Sequence, residues 1–163
     1  MGRRVVKRSK NSGKIKNATK LELSDGTKFR SKLELFCYNK LLENGIDDFK
    51  YEEEKFLLME PFTFNNISIE PHEKNTKEGK IRIFGESNNE IRAITYLPDF
   101  TCIKDKVGWV IETKGYANTG WPNKLKMFKK YLVDNEYKVQ FYMPNNQGNV
   151  LKCIQMIKEQ YYG

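Results

Sequence analysis

Asp99 and the run Glu112-Thr113-Lys114 are the residues of this chain best suited to chemistry. They sit in Tyr96-Leu97-Pro98-Asp99-Phe100 and in Trp109-Val110-Ile111-Glu112-Thr113-Lys114-Gly115. Both stretches read as β-strands, and a turn centred on Asp105-Lys106 sets Asp99 directly opposite Glu112. Two opposed carboxylates repel, so the pair calls for a counter-ion. A hard divalent cation such as magnesium takes oxygen ligands and keeps waters for a phosphate substrate. It polarises a phosphoryl oxygen and lowers the pKa of bound water, so the spacing suits metal-dependent phosphodiester hydrolysis. Lys114 lies two residues beyond Glu112 and projects from the same strand face. Two nearby carboxylates favour its charged form, which assigns it positioning and charge balance rather than proton abstraction. The backbone carbonyl of Thr113 is a further metal ligand candidate. An isolated Asp and Glu-x-Lys set is more often a surface ion cluster; here the strand pattern on both sides, the preceding Pro98 and the following Gly115 give it company.

The opposite face of this hairpin collects Pro98, Phe100 and Cys102 from one strand and Trp109, Ile111 and Thr113 from the other, ready to pack on a helix. Upstream, Ser31 and Glu34 have capping-box spacing at the start of a helix over 31–44, with Leu33, Phe36, Cys37 and Leu41 inward and Gly45 at its end. Glu34 either caps that helix or adds a third acid to the site. Residues 49–59 read as one strand, interrupted at Pro61, and Glu53 on it could lie near the acids. The polar stretch 70–80, which holds the single histidine, His72, reads as a loop. Residues 80–84 and 90–96 alternate well and read as a hairpin. Downstream come a helix over 122–133, a strand over 137–143 and a helix over 149–161. The order predicts an α/β layered domain with a mixed central sheet flanked by helices. Residues 21–163 form one such domain, carrying a β-rich insertion at about 61–90.

The charge is uneven. The chain has 163 residues and a net charge of +8, with 29 lysines and arginines against 21 acids. Eight of those bases, including Arg3, Arg4, Lys7 and Arg8, fall within residues 1–20 beside no acid. The remainder is neutral, so the arm carries the excess and is the footprint of a polyanion binder; it reads as disordered on its own. Lys124, Lys126, Lys129 and Lys130 make the 122–133 helix basic, a second candidate phosphate surface. Tyr116 and Trp121 flank the 115–120 loop and could stack on bases. No apolar run is long enough for a transmembrane helix and no secretory signal opens the chain, so no membrane role is expected. The three widely spaced cysteines fit reduced thiols inside a cell. One histidine excludes the usual histidine-metal and Ser-His-Asp chemistries.

Pro98-Asp99 followed by Glu112-Thr113-Lys114 resembles the PD-(D/E)XK nuclease superfamily. The closer likeness is to its phage-type members, among them junction-resolving endonucleases of the endonuclease I type. It is carried by Asp25-Gly26-Thr27-Lys28-Phe29-Arg30-Ser31-Lys32-Leu33-Glu34, by Tyr96 to Phe100, by Lys114-Gly115 and by the lysine-rich helix after it. It covers about residues 24–60 and 90–132. The resemblance implies a restriction-endonuclease-like core, magnesium as cofactor with manganese able to replace it, and Asp99, Glu112 and Glu34 as metal ligands. Lys114 would be the catalytic lysine. It further implies DNA, branched or duplex, as partner, a homodimer, and a phage protein of the bacterial cytoplasm. The long stretch from Pro61 to Glu90 departs from the resolving endonucleases. Two other readings compete: a nucleic-acid-binding module of the same fold without turnover, and a basic structural or RNA-directed protein whose arm is its function.

Overall fold

The computed structural model describes residues 21–23, 26–113 and 121–163. Residues 1–20, expected as a basic arm with Arg3, Arg4, Lys7 and Arg8, lie outside them, as do Lys114 and residues 115–120 with Tyr116. In chain order the elements are β1 (Leu21–Glu22), β2 (Lys28–Phe29), α1 (Lys32–Glu43), β3 (Lys50–Tyr51), β4 (Phe56–Met59), β5 (Phe62–Thr63), β6 (Ile69–Thr76) and β7 (Gly79–Glu86). Then follow β8 (Glu90–Ile91), β9 (Ile94–Tyr96), β10 (Phe100–Lys104), β11 (Val107–Ile111), α2 (Trp121–Asp134), β12 (Lys138–Tyr142) and α3 (Gln147–Ile157), which continues into a π-helical turn, Lys158–Tyr162.

The central sheet has the order β12-β11-β10-β3. The β11–β12 pair is parallel and the others are antiparallel, so the sheet is mixed. The β10–β11 register is the expected one: Phe100 faces Ile111, Cys102 faces Trp109 and Lys104 faces Val107. Its two-residue turn is Asp105-Lys106, both left-handed at φ +51 and +66, the type I′ geometry whose twist matches paired strands. Gly108, at φ +150, is held so close to the facing strand that a Cβ there would lie 1.9 Å from the Cys102 carbonyl oxygen.

Alternation along this hairpin builds two cores. Phe100, Trp109 and Ile111 point to one face, against Cys37 and Leu41 of α1 and Val150, Ile154 and Ile157 of α3. Val110 points to the other, against Phe128 and Leu132 of α2, Phe56 of β4 and Tyr96 of β9. The sheet thus lies between helical layers. At about 25 cal/mol per Å² of apolar surface removed from water, these clusters are the main favourable term in folding. Burial also pushes the Cys37 thiol above its ordinary pKa, as for an inert core cysteine.

Several expectations are corrected. The strand over 49–59 is broken: Glu52 takes φ +48, the chain turns, and β3 joins the central sheet while β4 pairs with β9 instead. The 70–80 stretch is not a loop. It forms β6 and the start of β7, a ribbon in which Ile69 faces Glu86 and Thr76 faces Gly79, and His72 is a strand residue. The hairpin joining 80–84 to 90–96 is therefore absent. β8 pairs with β5 and β9 with β4. Alternation marked those segments as strands but carries no information about which strand each would pair with.

Candidate active site

The acids gather where β10 and β11 end. The ladder stops at Phe100 and Ile111, so Asp99 and Glu112 stand one step beyond it, on the side covered by α2. Both are buried. Each is fixed by a neighbour. The Asp99 Oδ2 atom accepts from the Thr113 backbone N–H at 2.7 Å and from Thr113 Oγ1 at 2.6 Å. The Glu112 Oε2 atom accepts from the Tyr96 hydroxyl at 2.9 Å. The backbone N–H of Glu112 donates to the Tyr142 carbonyl, tying the end of β11 to β12.

Burial, then the facing charge of Glu112, push the Asp99 carboxyl up to about 7; the two Thr113 hydrogen bonds pull against them, and Glu34 adds to the rise. Burial and the Glu112 carboxylate also raise the Tyr96 phenol, which stays protonated and donating.

Glu34 arrives from the first turn of α1. Its Oε1 accepts from Ser31 Oγ at 2.9 Å, and its Oε2 accepts from the Arg30 N–H and the Tyr51 hydroxyl, each at 2.9 Å. Ser31 Oγ in turn accepts from the Glu34 N–H at 3.1 Å. The capping role is therefore real, and the same side chain lines the cleft that holds Asp99 and Glu112. The two roles separate in Glu34→Gln. Gln at this position keeps the cap. Unfolding free energies from urea titrations should fall by no more than about 1.5 kcal/mol, the scale of one altered hydrogen bond, while any metal-dependent turnover at this cleft falls at least about tenfold. A Glu34 that only caps would leave turnover unchanged.

That cleft is open and measures about 470 Å³. Besides the three acids and Thr113 it is lined by Arg30, Lys55, Lys124 and Trp121. Of the expected phosphate-binding lysines, Lys124 lines this cleft. Lys129 instead lies over the Phe141 ring at 5.6 Å, and Lys130 pairs with Asp134. Lys126 is exposed on the same helix, outside the cleft lining. Glu53 does not join the site; it lines a separate pocket with Tyr38, Asp47 and Phe49. Its neighbour Glu52 pairs with Arg30 at 2.8 Å and has a raised pKa, chiefly from burial, with Glu34 and Glu112 contributing.

Three residues escaped the sequence reading. Tyr51 and Tyr96 are the hydroxyls that hold Glu34 and Glu112, and alternation marks them only as strand residues. Lys55 is brought in by the turn at Glu52, which the pattern over 49–59 conceals. If the cleft takes a nucleic-acid backbone, Lys55→Ala should weaken that binding and lower the slope of log K against log salt by roughly one, the loss of one phosphate contact. An unchanged slope would remove Lys55 from the interface.

The side-chain donor set is all oxygen: two facing carboxylates and a third lining the same cleft. Magnesium fits it better than zinc, which favours nitrogen and sulfur ligands. Among the described residues no three of His, Cys, Asp or Glu are drawn together as a ready-made cage. The residues that could hold such an ion are Asp99 and Glu112, with Glu34 lining the same cleft.

Fold and site together define a mixed α/β protein of three helices among the described residues, with a buried acid pair opening onto a lysine-lined cleft. Among the described residues no helix is long and apolar enough to cross a membrane. No protein-family model, no curated protein and no solved structure matches the chain.

Proposed function

We propose that the chain is a magnesium-dependent DNA endonuclease with a restriction-endonuclease-like core, acting on branched or otherwise distorted DNA. The observation that carries this reading is the pair Asp99 and Glu112. They are buried together, fixed by Thr113 and Tyr96, and open onto a cleft that also contains Glu34, Lys55 and Lys124. A protein does not bury two facing carboxylates without compensation, and a cation is the natural one.

When bound, magnesium supplies Lewis-acid activation of the phosphate and a more acidic water. The chain's own residues do the rest. Thr113 and Tyr96 hold one oxygen of each acid, which leaves the carboxylate planes little freedom. Glu34 borders the same space and is oriented by Tyr51. Lys55 and Lys124 offset the charge of the DNA backbone entering an otherwise acidic cleft. Lys114, the catalytic lysine of this proposal, follows Thr113 directly in the chain. The basic arm at 1–20 adds sequence-independent affinity. A setting in the cytoplasm of a phage-infected bacterium belongs to the same proposal.

The test is cleavage of a four-way junction and of supercoiled plasmid in magnesium, wild type against Asp99→Ala. Cutting by wild type alone supports the nuclease reading. Binding without cutting by both proteins would favour a silent module of the same fold.

A further inference from the structure

The β6–β7 ribbon stands apart from the body. Among the described residues it is a two-stranded sheet that no other strand joins. Such a ribbon is marginal in water by itself. It nevertheless exposes large apolar side chains: Phe84 is 74% accessible, Ile69 59% and Ile81 47%, with Ile67 at 73% just before it. An open, apolar strand edge is a pairing site unless something covers it.

The two edges are unequal. β6 contains Pro71, which has no N–H to give and blunts that edge. β7, Gly79–Glu86, has no proline. The ribbon's charges also discriminate among partners. Between residues 69 and 86 four glutamates meet four lysines or arginines. That balance suits no polyanion, which would select a single positive sign.

We propose that the β7 edge pairs antiparallel with the β7 edge of a second copy of this chain, about a twofold axis at Ile83. Each Lys80 then stands opposite Glu86 of the partner subunit, each Arg82 opposite Phe84 of the partner subunit, and Ile83 opposite the partner's Ile83. The result is a continuous four-stranded sheet whose central ladder runs from Lys80 to Glu86. A twofold keeps faces matched only when the register moves in steps of two. Centring on Arg82 would oppose the two Arg82 side chains and set Glu78 against Glu86 of the partner subunit, both repulsive. Centring on Phe84 would cut the ladder to Arg82–Glu86. The charge pattern therefore selects the register at Ile83. The inference stands independently of the nuclease reading.

The test is a charge-swap mixture of full-length proteins, followed by sedimentation equilibrium at low salt. Wild type should be dimeric. Lys80→Glu alone and Glu86→Lys alone should each weaken association roughly tenfold, since each places two like-charge pairs across the interface. An equimolar mixture of the two should recover wild-type association, because the mixed dimer restores both attractions. Lys80 also pairs with Glu73 inside its own ribbon at 3.2 Å, so Glu73→Gln serves as control and should remain dimeric. A monomeric wild type, a mixture that associates no better than its components, or a Glu73→Gln as weak as Lys80→Glu would each overturn the proposal.

Discussion

Asp99→Asn is expected to stabilise the metal-free protein at pH 8 and to abolish DNA cleavage. The stability effect follows from linkage. Folding raises the Asp99 pKa from its ordinary 3.8 to about 7. Below the lower value both states hold the proton and the group costs nothing. As pH rises from there to the higher value, the unfolded chain releases the proton more readily, and folding stability falls. Above it the full penalty applies. Each unit of raised pKa corresponds to about 1.4 kcal/mol. The Glu112 neighbour and the lost charge on the Thr113 hydrogen bonds reduce what Asn recovers, so a net gain of about 1–2 kcal/mol at pH 8 is the expectation. Near pH 4 the gain should vanish. Asn keeps an oxygen for the Thr113 N–H and hydroxyl, so the site should hold its shape. Turnover should nevertheless drop by about 10³ or more, the scale of losing a group that acts only in the transition state. Urea titrations of both proteins across pH, beside junction cleavage in magnesium, read the two effects separately. An Asn variant less stable than wild type at pH 8 would mean that Asp99 is a stabilising structural acid.

Gly108→Ala should be the most damaging single methyl in the described chain. At φ +150 a side chain is strained whatever space surrounds it, and here the added Cβ would sit 1.9 Å from the Cys102 carbonyl oxygen. That atom belongs to the facing backbone and cannot swing aside. Relief requires β10 and β11 to separate, which displaces Trp109 and Ile111 from the first core and Val110 from the second. A loss of about 4 kcal/mol or more is expected, enough to leave a marginally stable domain largely unfolded. Gly85→Ala in the exposed ribbon has nothing within 4 Å of the new carbon and should be close to neutral. Urea midpoints of the two variants give the comparison. Similar midpoints would mean that the hairpin is looser than this geometry requires.

What the sequence conveyed depended on how local the determinant was. The hairpin register was legible because two residues, Asp105-Lys106, close it, and the faces follow from strict alternation. The capping of α1 was legible for the same reason: Ser31 and Glu34 lie within one turn. Pairing across longer separations was not. Nothing in the pattern over 49–59 announces that Glu52 turns left-handed, and that turn puts Tyr51 beneath Glu34 and Lys55 in the cleft. The run 70–80 read as a loop because it is polar and contains Pro71 and Gly79. A ribbon with both faces wet needs no apolar alternation, so the usual strand signal was missing. Asp99 and Glu112 were paired by the register, Glu34 was joined to them by the resemblance, and the three line one cleft; Lys124, assigned only to a basic helix face, lines it too. Lys129, Lys130 and Glu53 were assigned by proximity in sequence, and they face elsewhere.

The most direct measurement is calorimetric titration of magnesium into the DNA-free protein at several pH values, in buffers of different ionisation enthalpy. If Asp99 and Glu112 are the metal site, the ion must displace the proton that Asp99 retains. Binding near pH 6 should then release on the order of one proton, release should fade above about pH 8 as affinity rises, and Asp99→Asn should abolish binding. Magnesium binding by wild type and Asp99→Asn alike, or no binding by wild type at any pH, would contradict the account.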